Sequence, residues 1–599
     1  MSQNAETADP DDSDSGFEER ADQVSEEVLR TDTVTGDWFD IIYKSLLSRG
    51  TVLVVGPRGC GKTHIMRYAW LKCCDTKHLP LAVYVSFNRY LRLEPLLKTR
   101  NDALSLFQIW VLSRILLAAD DTAKRVDNGA PKAPIAVELG QEAKGAQASS
   151  KSIPGSDVFA HFGIARVQVE ALIRRLEKAG VLSEAEELSS NAISIEGVVQ
   201  ALTMLFKALG RTRLVIFLDD AALVFAQEFM TEFLDVVRVI KQQNISPKCS
   251  VYPGSTEYGP RFHADHEARF IPAWLPVDHS SYRDIMGAIG ARRYAEGGRL
   301  GSDVSGLLMY AAFGVPRAYL TMLREMVNEN ASGPAATQQA LNKVIQQHRD
   351  SRLREFRSLK LKMPKFSSVI DAGENLFQKV VEIMKERNDA LADKAEKQIL
   401  FGITKEEMTA IPRRMFKLLV EAGLLFELPE VSHGQGRTYH RFTPHLAALI
   451  AARAFAGSSR GNSPAQMLSF IERKPTKHPI RQALASLLPS IKAVQFDLPP
   501  CQACTTPRIS DEQKFCHHCG TRLADDSTFT RLMKLPITEV ANLSTWARSQ
   551  IDANGIKTIE ELLAFEDPGT ELRKIHRVGP RRATLYLLGV ESYIDEFMS

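Results

Sequence analysis

Apolar residues along the chain fall into two kinds of pattern. Continuous runs at Thr51-Val52-Leu53-Val54-Val55, Leu81 to Phe87, Leu214-Val215-Ile216-Phe217-Leu218 and Ser250-Val251-Tyr252 predict strands buried on both faces. Helical spacing takes over at Asp37–Leu47, His64–Lys72, Ala103–Ala118 and Val167–Lys178. It returns from Ala291 to Tyr319, with a break at Phe313-Gly314-Val315-Pro316-Arg317. Strands that alternate with helices predict a parallel, doubly wound sheet with a helical lid behind it. Later, Arg413–Ala422 reads as a helix stopped by Gly423, and Leu424–Leu428 can pair with Thr438–Phe442 across a Gly- and His-rich turn. A helix followed by a hairpin is the winged-helix pattern.

Other segments lack a period. Met1 to Arg30 is crowded with Asp and Glu and reads as a disordered acidic tail. Ala119 to Pro154 turns to Ala, Gly, Lys, Ser and Pro, as an insertion or mobile loop does. Arg349 to Lys365 is basic, either a solvated linker helix or one that contacts phosphates. The expected division is a tail over 1–32, an α/β core over 33–278 with the 119–154 insertion, and a lid over 279–348. A basic connector over 349–368, a winged helix over 369–495, a cysteine-bearing segment over 496–526 and a small all-α domain over 527–599 complete it. A chain of 599 residues is long enough for several cores.

With 44% apolar and 25% charged residues the composition is that of a soluble globular protein, and a net charge of +3 selects no partner. No unbroken apolar run reaches the ~20 residues of a membrane span, and the acidic start lacks the features of a signal peptide. The expected compartment is the cytoplasm, with no membrane partner. Of the eight cysteines, Cys60, Cys73, Cys74 and Cys249 are scattered and read as small, buried, reduced side chains.

The strongest chemical signal is Gly56-Pro57-Arg58-Gly59-Cys60-Gly61-Lys62-Thr63. Its G-x-x-x-x-G-K-T spacing lies between a predicted strand and a predicted helix, the setting a P-loop requires. Glycines let backbone N–H groups wrap the phosphates of ATP, and the helix dipole favours the anion. Lys62 is expected to bridge the β- and γ-phosphates, and the Thr63 hydroxyl to ligate Mg²⁺. The strand that ends in Asp219-Asp220 delivers two carboxylates to the same edge. Asp219 is assigned to Mg²⁺ through water and Asp220 to the attacking water.

The P-loop, the acid-ended strand and Gly314-Val315-Pro316-Arg317 together resemble AAA+ ATPases of the origin-recognition (initiator) type. The resemblance implies a polar sensor at Ser255 or Thr256, and a lid arginine, Arg317, on the γ-phosphate. It also implies an arginine offered to a neighbouring subunit, Arg261 or Arg269, and so a homo-oligomer. The family commonly has Asp-Glu where this chain has Asp219-Asp220, so slow hydrolysis is expected. The interval from Thr63 to Asp219 is longer than usual for that family. The 119–154 insertion accounts for it, and the signal-sensing STAND class of P-loop ATPases is the other reading.

Near the C-terminus, Cys501-x-x-Cys504 and Cys516-x-x-Cys519 have the spacing of a zinc ribbon, with thiolates for one structural Zn²⁺. Ala553 to Thr558 and Leu572 to Ala583 resemble helix-hairpin-helix domains and the C-terminal domain of the RNA polymerase alpha subunit. That resemblance implies that the Val578-Gly579-Pro580 turn meets a DNA phosphate, helped by Arg577, Arg581 and Arg582. The fold class expected is therefore an α/β P-loop NTPase core with a helical lid, then a winged helix, a zinc ribbon and a small all-α domain. The function expected is an ATP-dependent DNA-binding ATPase, with double-stranded DNA as ligand, that controls assembly on DNA or recruits an effector or nuclease. A STAND-type switch that senses a protein or phage component in defence is the alternative.

Overall fold

The computed structural model describes residues 24–87, 90–128, 157–178, 180–220, 227–253, 256, 258, 261–432, 438–456, 463–509, 513, 515–521, 523, 528–540, 542–565 and 567–598. Five parallel strands, β1 (Thr51–Val55), β2 (Leu81–Ser86), β3 (Leu214–Asp219), β4 (Ile245–Val251) and β5 (Ala268–Pro272), form one sheet in the order β2-β3-β4-β1-β5. Helices cover both faces, so β3 is buried along its whole length and its sequence is continuously apolar up to Asp219. This is the sheet of a P-loop NTPase core.

Two strands depart from the sequence expectation. β4 starts five residues earlier than the run Ser250-Val251-Tyr252 suggests, because Ser246-Pro247-Lys248 interrupts the apolar pattern. Lys248 is nevertheless fully buried, and its ammonium donates to the Ser48 and Gly50 carbonyls at 2.7 and 2.6 Å. Burial lowers its pKa to about 7, with Arg269 and Arg213 adding to the shift. β5 is a largely exposed edge strand and so shows no apolar run at all.

The expected disordered tail over 1–32 is corrected for its last turns. α1 (Glu26–Asp32) is a helix capped by Ser25, with Leu29 buried against Leu71 and Trp70. Ion pairs Arg30–Asp75 at 2.9 Å and Arg125–Glu26 at 2.5 Å hold it down, so its acids have partners that composition does not reveal. Residues 1–23 lie outside the described residues. The expected insertion is corrected too, since one helix runs from Ala103 to Asn128 and buries Ala119 and Ala123. The remainder of that expectation, 129–154, lies outside the described residues. Over Ala103–Val126 this helix is long and apolar enough to cross a membrane by length and composition, with a mean hydropathy of 1.5, although charged residues interrupt its apolar run. Here it packs on β2 and on the helices Arg166–Glu177 and Gln227–Ile240, and Trp110 at its centre is fully buried.

The lid consists of helices Tyr282–Arg293, Ser302–Ala311 and Pro316–Asn328. Its junction with the sheet is the turn Phe313-Gly314. The Trp274 indole donates to the Phe313 carbonyl at 2.6 Å, and the Gly314 N–H donates to the Tyr282 hydroxyl at 2.8 Å. Gly314 has φ +75°, and a Cβ there would lie 2.0 Å from the Leu275 carbonyl oxygen. Gly314→Ala is therefore expected to lower stability by about 3 kcal/mol or more in urea titrations. A loss under about 1 kcal/mol would mean that the turn is not the rigid joint described.

No break occurs at the expected 348/349 boundary between lid and connector, because Pro334–Lys362 is one helix. Its basic residues are partly tied within the chain: Arg357 pairs with Glu374 at 2.5 Å and Lys360 pairs with Asp371, both on the next helix, Ser367–Asp389. After it come the helix Ala410–Glu421 and a sheet in which Thr438–Pro444 pairs antiparallel with Leu425–Ser432 and with Phe401–Thr404. Ile480–Arg481 adds a short parallel edge to Phe401–Thr404. The tip of this hairpin, 433–437, lies outside the described residues. Phe426 at its base packs on Trp274 with ring centroids 4.7 Å apart, which joins hairpin, lid and sheet in one core.

Candidate functional site

Helix α2 (Asp37–Leu46) leads into β1, and the loop between β1 and α3 (Lys62–Asp75) lies at the carboxyl edge of the sheet, where Asp219, Asp220 and Tyr252 also emerge. Gly59 and Gly61 have φ of +83° and +98°, which suits only glycine here. The Gly59 carbonyl accepts the Arg317 N–H at 3.4 Å, so the lid grips the middle of the loop. Cys60 is buried under it, and burial pushes its thiol pKa up, leaving it a neutral filler.

Lys62 is buried and folds back on its own loop. Its ammonium donates to the Gly56 carbonyl at 2.6 Å and the Pro57 carbonyl at 3.1 Å, and lies 4.0 Å from the centre of the Tyr252 ring. An ammonium has three donors, so two carbonyls and one ring face account for all of them. Burial and the neighbouring Asp220 raise the Tyr252 pKa well above its ordinary value, so the phenol is neutral.

A cavity of about 490 Å³ opens beside the loop. That is the size range of a small-molecule site. Charged Arg58, Lys62, Asp220 and Arg317 line it together with Thr63, Tyr252 and the apolar Val34, Phe39, Ile285 and Ile289. Charged and apolar groups in one cavity suit a triphosphate and a base. His64 also lines it, its Nε2 2.8 Å from the Thr33 hydroxyl, with burial lowering its pKa to about 4.

The two carboxylates differ. Asp219 is fully buried and is not among the residues that line the cavity; one of its oxygens accepts the Tyr84 phenol O–H at 2.8 Å and the other, Oδ1, has no partner among the described residues. Asp220 is partly exposed, lines the cavity and sits in the left-handed region with φ 53°, its N–H given to the Ser250 hydroxyl at 2.9 Å. A non-glycine residue in that region is strained, and such strain gathers at functional sites. A buried carboxylate oxygen without a partner among the described residues, at the strand end that also carries Asp220, fits the water shell of Mg²⁺.

Of the two sensor candidates, Thr256 is buried, its hydroxyl accepts the Tyr252 N–H at 3.2 Å as the chain turns after β4, and it is not among the residues that line the cavity. Ser255 lies outside the described residues. The β4-end side chain that does line the cavity is Tyr252, which sequence reasoning passed over because it reads as the last apolar residue of its strand. Arg261 pairs with Asp235 at 2.7 Å, and Arg269 donates to the Ser48 hydroxyl at 3.1 Å; neither lines the cavity.

A second cluster joins Cys501, Cys504, Cys516 and Cys519, whose sulfurs all lie within 4.8 Å of one another. The closest pairs are 3.5 and 3.6 Å apart. Tetrahedral thiolates at ~2.3 Å from one ion are about 3.8 Å apart, so the set fits Zn²⁺. Two matching turns build it: the Cys501 carbonyl accepts the Thr505 N–H and the Cys516 carbonyl accepts the Gly520 N–H, with Thr505 and Gly520 at φ 58° and 71°. His517 and His518 are exposed. In the last domain, the turn before helix Pro580–Met598 buries Val578 and exposes His576, Arg577, Gly579, Arg581 and Arg582.

Residues 25–228 match the ORC-CDC6-like family model, a span that opens at α1 and holds the P-loop and both acids. They form an ORC-CDC6-like domain. The ORC-CDC6-like domain agrees with the initiator-type AAA+ resemblance carried by the P-loop and the acid-ended strand. No curated protein matches the chain. Among solved structures, a Walker-type ATPase of Pyrococcus abyssi is similar at 12% identity and a TM-score of 0.35, over 71% of this chain and 95% of that one. The Aeropyrum pernix Orc1 protein in complex with DNA is similar at 13% identity and a TM-score of 0.27, over 71% of this chain and 94% of that one.

Proposed function

We propose that the chain is an ATP-dependent DNA-binding ATPase, in which ATP binding and hydrolysis control assembly on DNA or recruitment of a partner. The observation that carries the ATP part is the convergence of Lys62, Thr63, Asp220 and Arg317 on one cavity that apolar residues also line. Lys62 leaves the Gly56 and Pro57 carbonyls for the β- and γ-phosphates, and Arg317 reaches the γ-phosphate from the lid. Thr63, and Asp219 through water, would hold Mg²⁺, which would supply positive charge against the phosphates. Asp220 orients the attacking water. Its carboxylate is one methylene shorter than a glutamate and its backbone is strained, so turnover is slow.

The DNA part is supported by the exposed basic turn around Gly579, which offers backbone N–H groups and arginines to phosphates without reading bases. The helix Ala410–Glu421 with its hairpin is proposed as a winged helix, and the four cysteines as a structural zinc ribbon. Steady-state ATP hydrolysis tests the reading. Duplex DNA is expected to raise the rate severalfold, and both Lys62→Ala and Asp220→Asn to abolish it. ATP binding without any response to DNA would instead favour a protein-sensing switch.

A further inference from the structure

Asp219 and Tyr84 meet because of strand register. β2 and β3 pair Tyr84 with Phe217, two residues before Asp219, so all three side chains project from one face of the sheet. The phenol reaches along that face and donates to Asp219 Oδ2 at 2.8 Å. Behind it the ring packs on Trp70 of α3, with centroids 6.3 Å apart. The Trp70 indole is itself anchored on the Thr122 hydroxyl at 3.2 Å. Tyr84 therefore cannot swing away without disturbing the helix that starts at Lys62.

This contact makes the two oxygens of Asp219 unequal. Oδ2 is occupied, while Oδ1 is buried with no partner among the described residues. A carboxylate with both oxygens unbound could rotate. One fixed from behind presents a single oxygen. A tyrosine that merely fills the core needs any acceptor for its hydroxyl. Here the acceptor is the acid at the end of β3, supplied from a different strand.

We infer that Tyr84 is a positioning residue of the ATP site, holding Asp219 so that Oδ1 is left for the water shell of Mg²⁺. The inference rests on the ATP-site reading above. Partners that orient a ligating group typically change metal affinity or activity by about 10–100-fold when removed. Tyr84→Phe in the full chain keeps the ring against Trp70 and deletes only the donor. Three quantities test it: ATP affinity in EDTA, Mn²⁺ affinity by electron spin resonance with a non-hydrolysable ATP analogue, and kcat against KM. ATP affinity without metal is expected to stay within about 2-fold, while Mn²⁺ affinity and kcat fall by at least about 10-fold. Mn²⁺ affinity within about 2-fold of the wild type, or metal-free ATP affinity falling as far as kcat, would overturn the role of Tyr84. Wild-type protein that binds no ATP would overturn the site reading itself.

Discussion

Lys62→Ala is expected to weaken ATP binding by about 100-fold while the protein stays folded. Each charge-assisted hydrogen bond to a phosphate contributes about 1.5–3 kcal/mol. Two such bonds would weaken binding further than that if nothing opposed them. The opposition is local: the ammonium already has two carbonyls and the Tyr252 ring, and ATP must displace them. The net loss is therefore about 3 kcal/mol, the equivalent of 100-fold. The same substitution strips the Gly56 and Pro57 carbonyls of a donor, so the empty protein should lose about 1–3 kcal/mol of stability. Fluorescent-nucleotide titration and a urea melt read the two effects separately. A variant that binds ATP as the wild type does would remove Lys62 from the phosphate site.

Metal loss from the four-cysteine cluster should unfold its segment and spare the ATP site. Among the described residues of 501–521, only Cys501 and Cys516 are buried, so almost no apolar core exists to hold the two turns together. The ion must supply the stability, and apparent binding energies for structural zinc are about 10–16 kcal/mol. Cys516→Ser, or a strong chelator, is expected to abolish bound zinc and open this segment to protease. ATP affinity should change by less than about 2-fold, since the cysteines do not line the nucleotide cavity. A purified chain without zinc that resists protease across 501–521 would show that the cysteines have another use.

Much of the core was legible because its signals are local. A P-loop is defined by spacing, and β1, β2 and β3 are continuous apolar runs that only sheets covered on both faces produce. The four cysteines are legible for the same reason. What escaped was whatever depends on a distant partner. Lys248 hid most of β4, because nothing nearby shows that the Ser48 and Gly50 carbonyls will take its charge. The acids of α1 passed for a disordered tail because Arg30, Asp75 and Arg125 meet only in the fold.

The candidate site divides along the same line. Lys62, Thr63, Asp220 and Arg317 come to one cavity as spacing and resemblance led one to expect. Thr256 does not, because its position depends on how the chain turns after β4. Tyr84 and Tyr252 had no motif to mark them. Their only trace is a hydroxyl in or at the end of an otherwise apolar strand, which in most buried strands signals nothing beyond a hydrogen bond to be found.

Equilibrium binding of the full chain to a labelled duplex, at one fixed salt concentration, tests the central claim most directly. Asp220→Asn protein with ATP and Mg²⁺ should bind the duplex at least about 10-fold more tightly than the same protein with ADP or without nucleotide, a coupling of about 1.4 kcal/mol. Equal affinity in all three states, or no affinity for the duplex, would contradict ATP control of DNA binding.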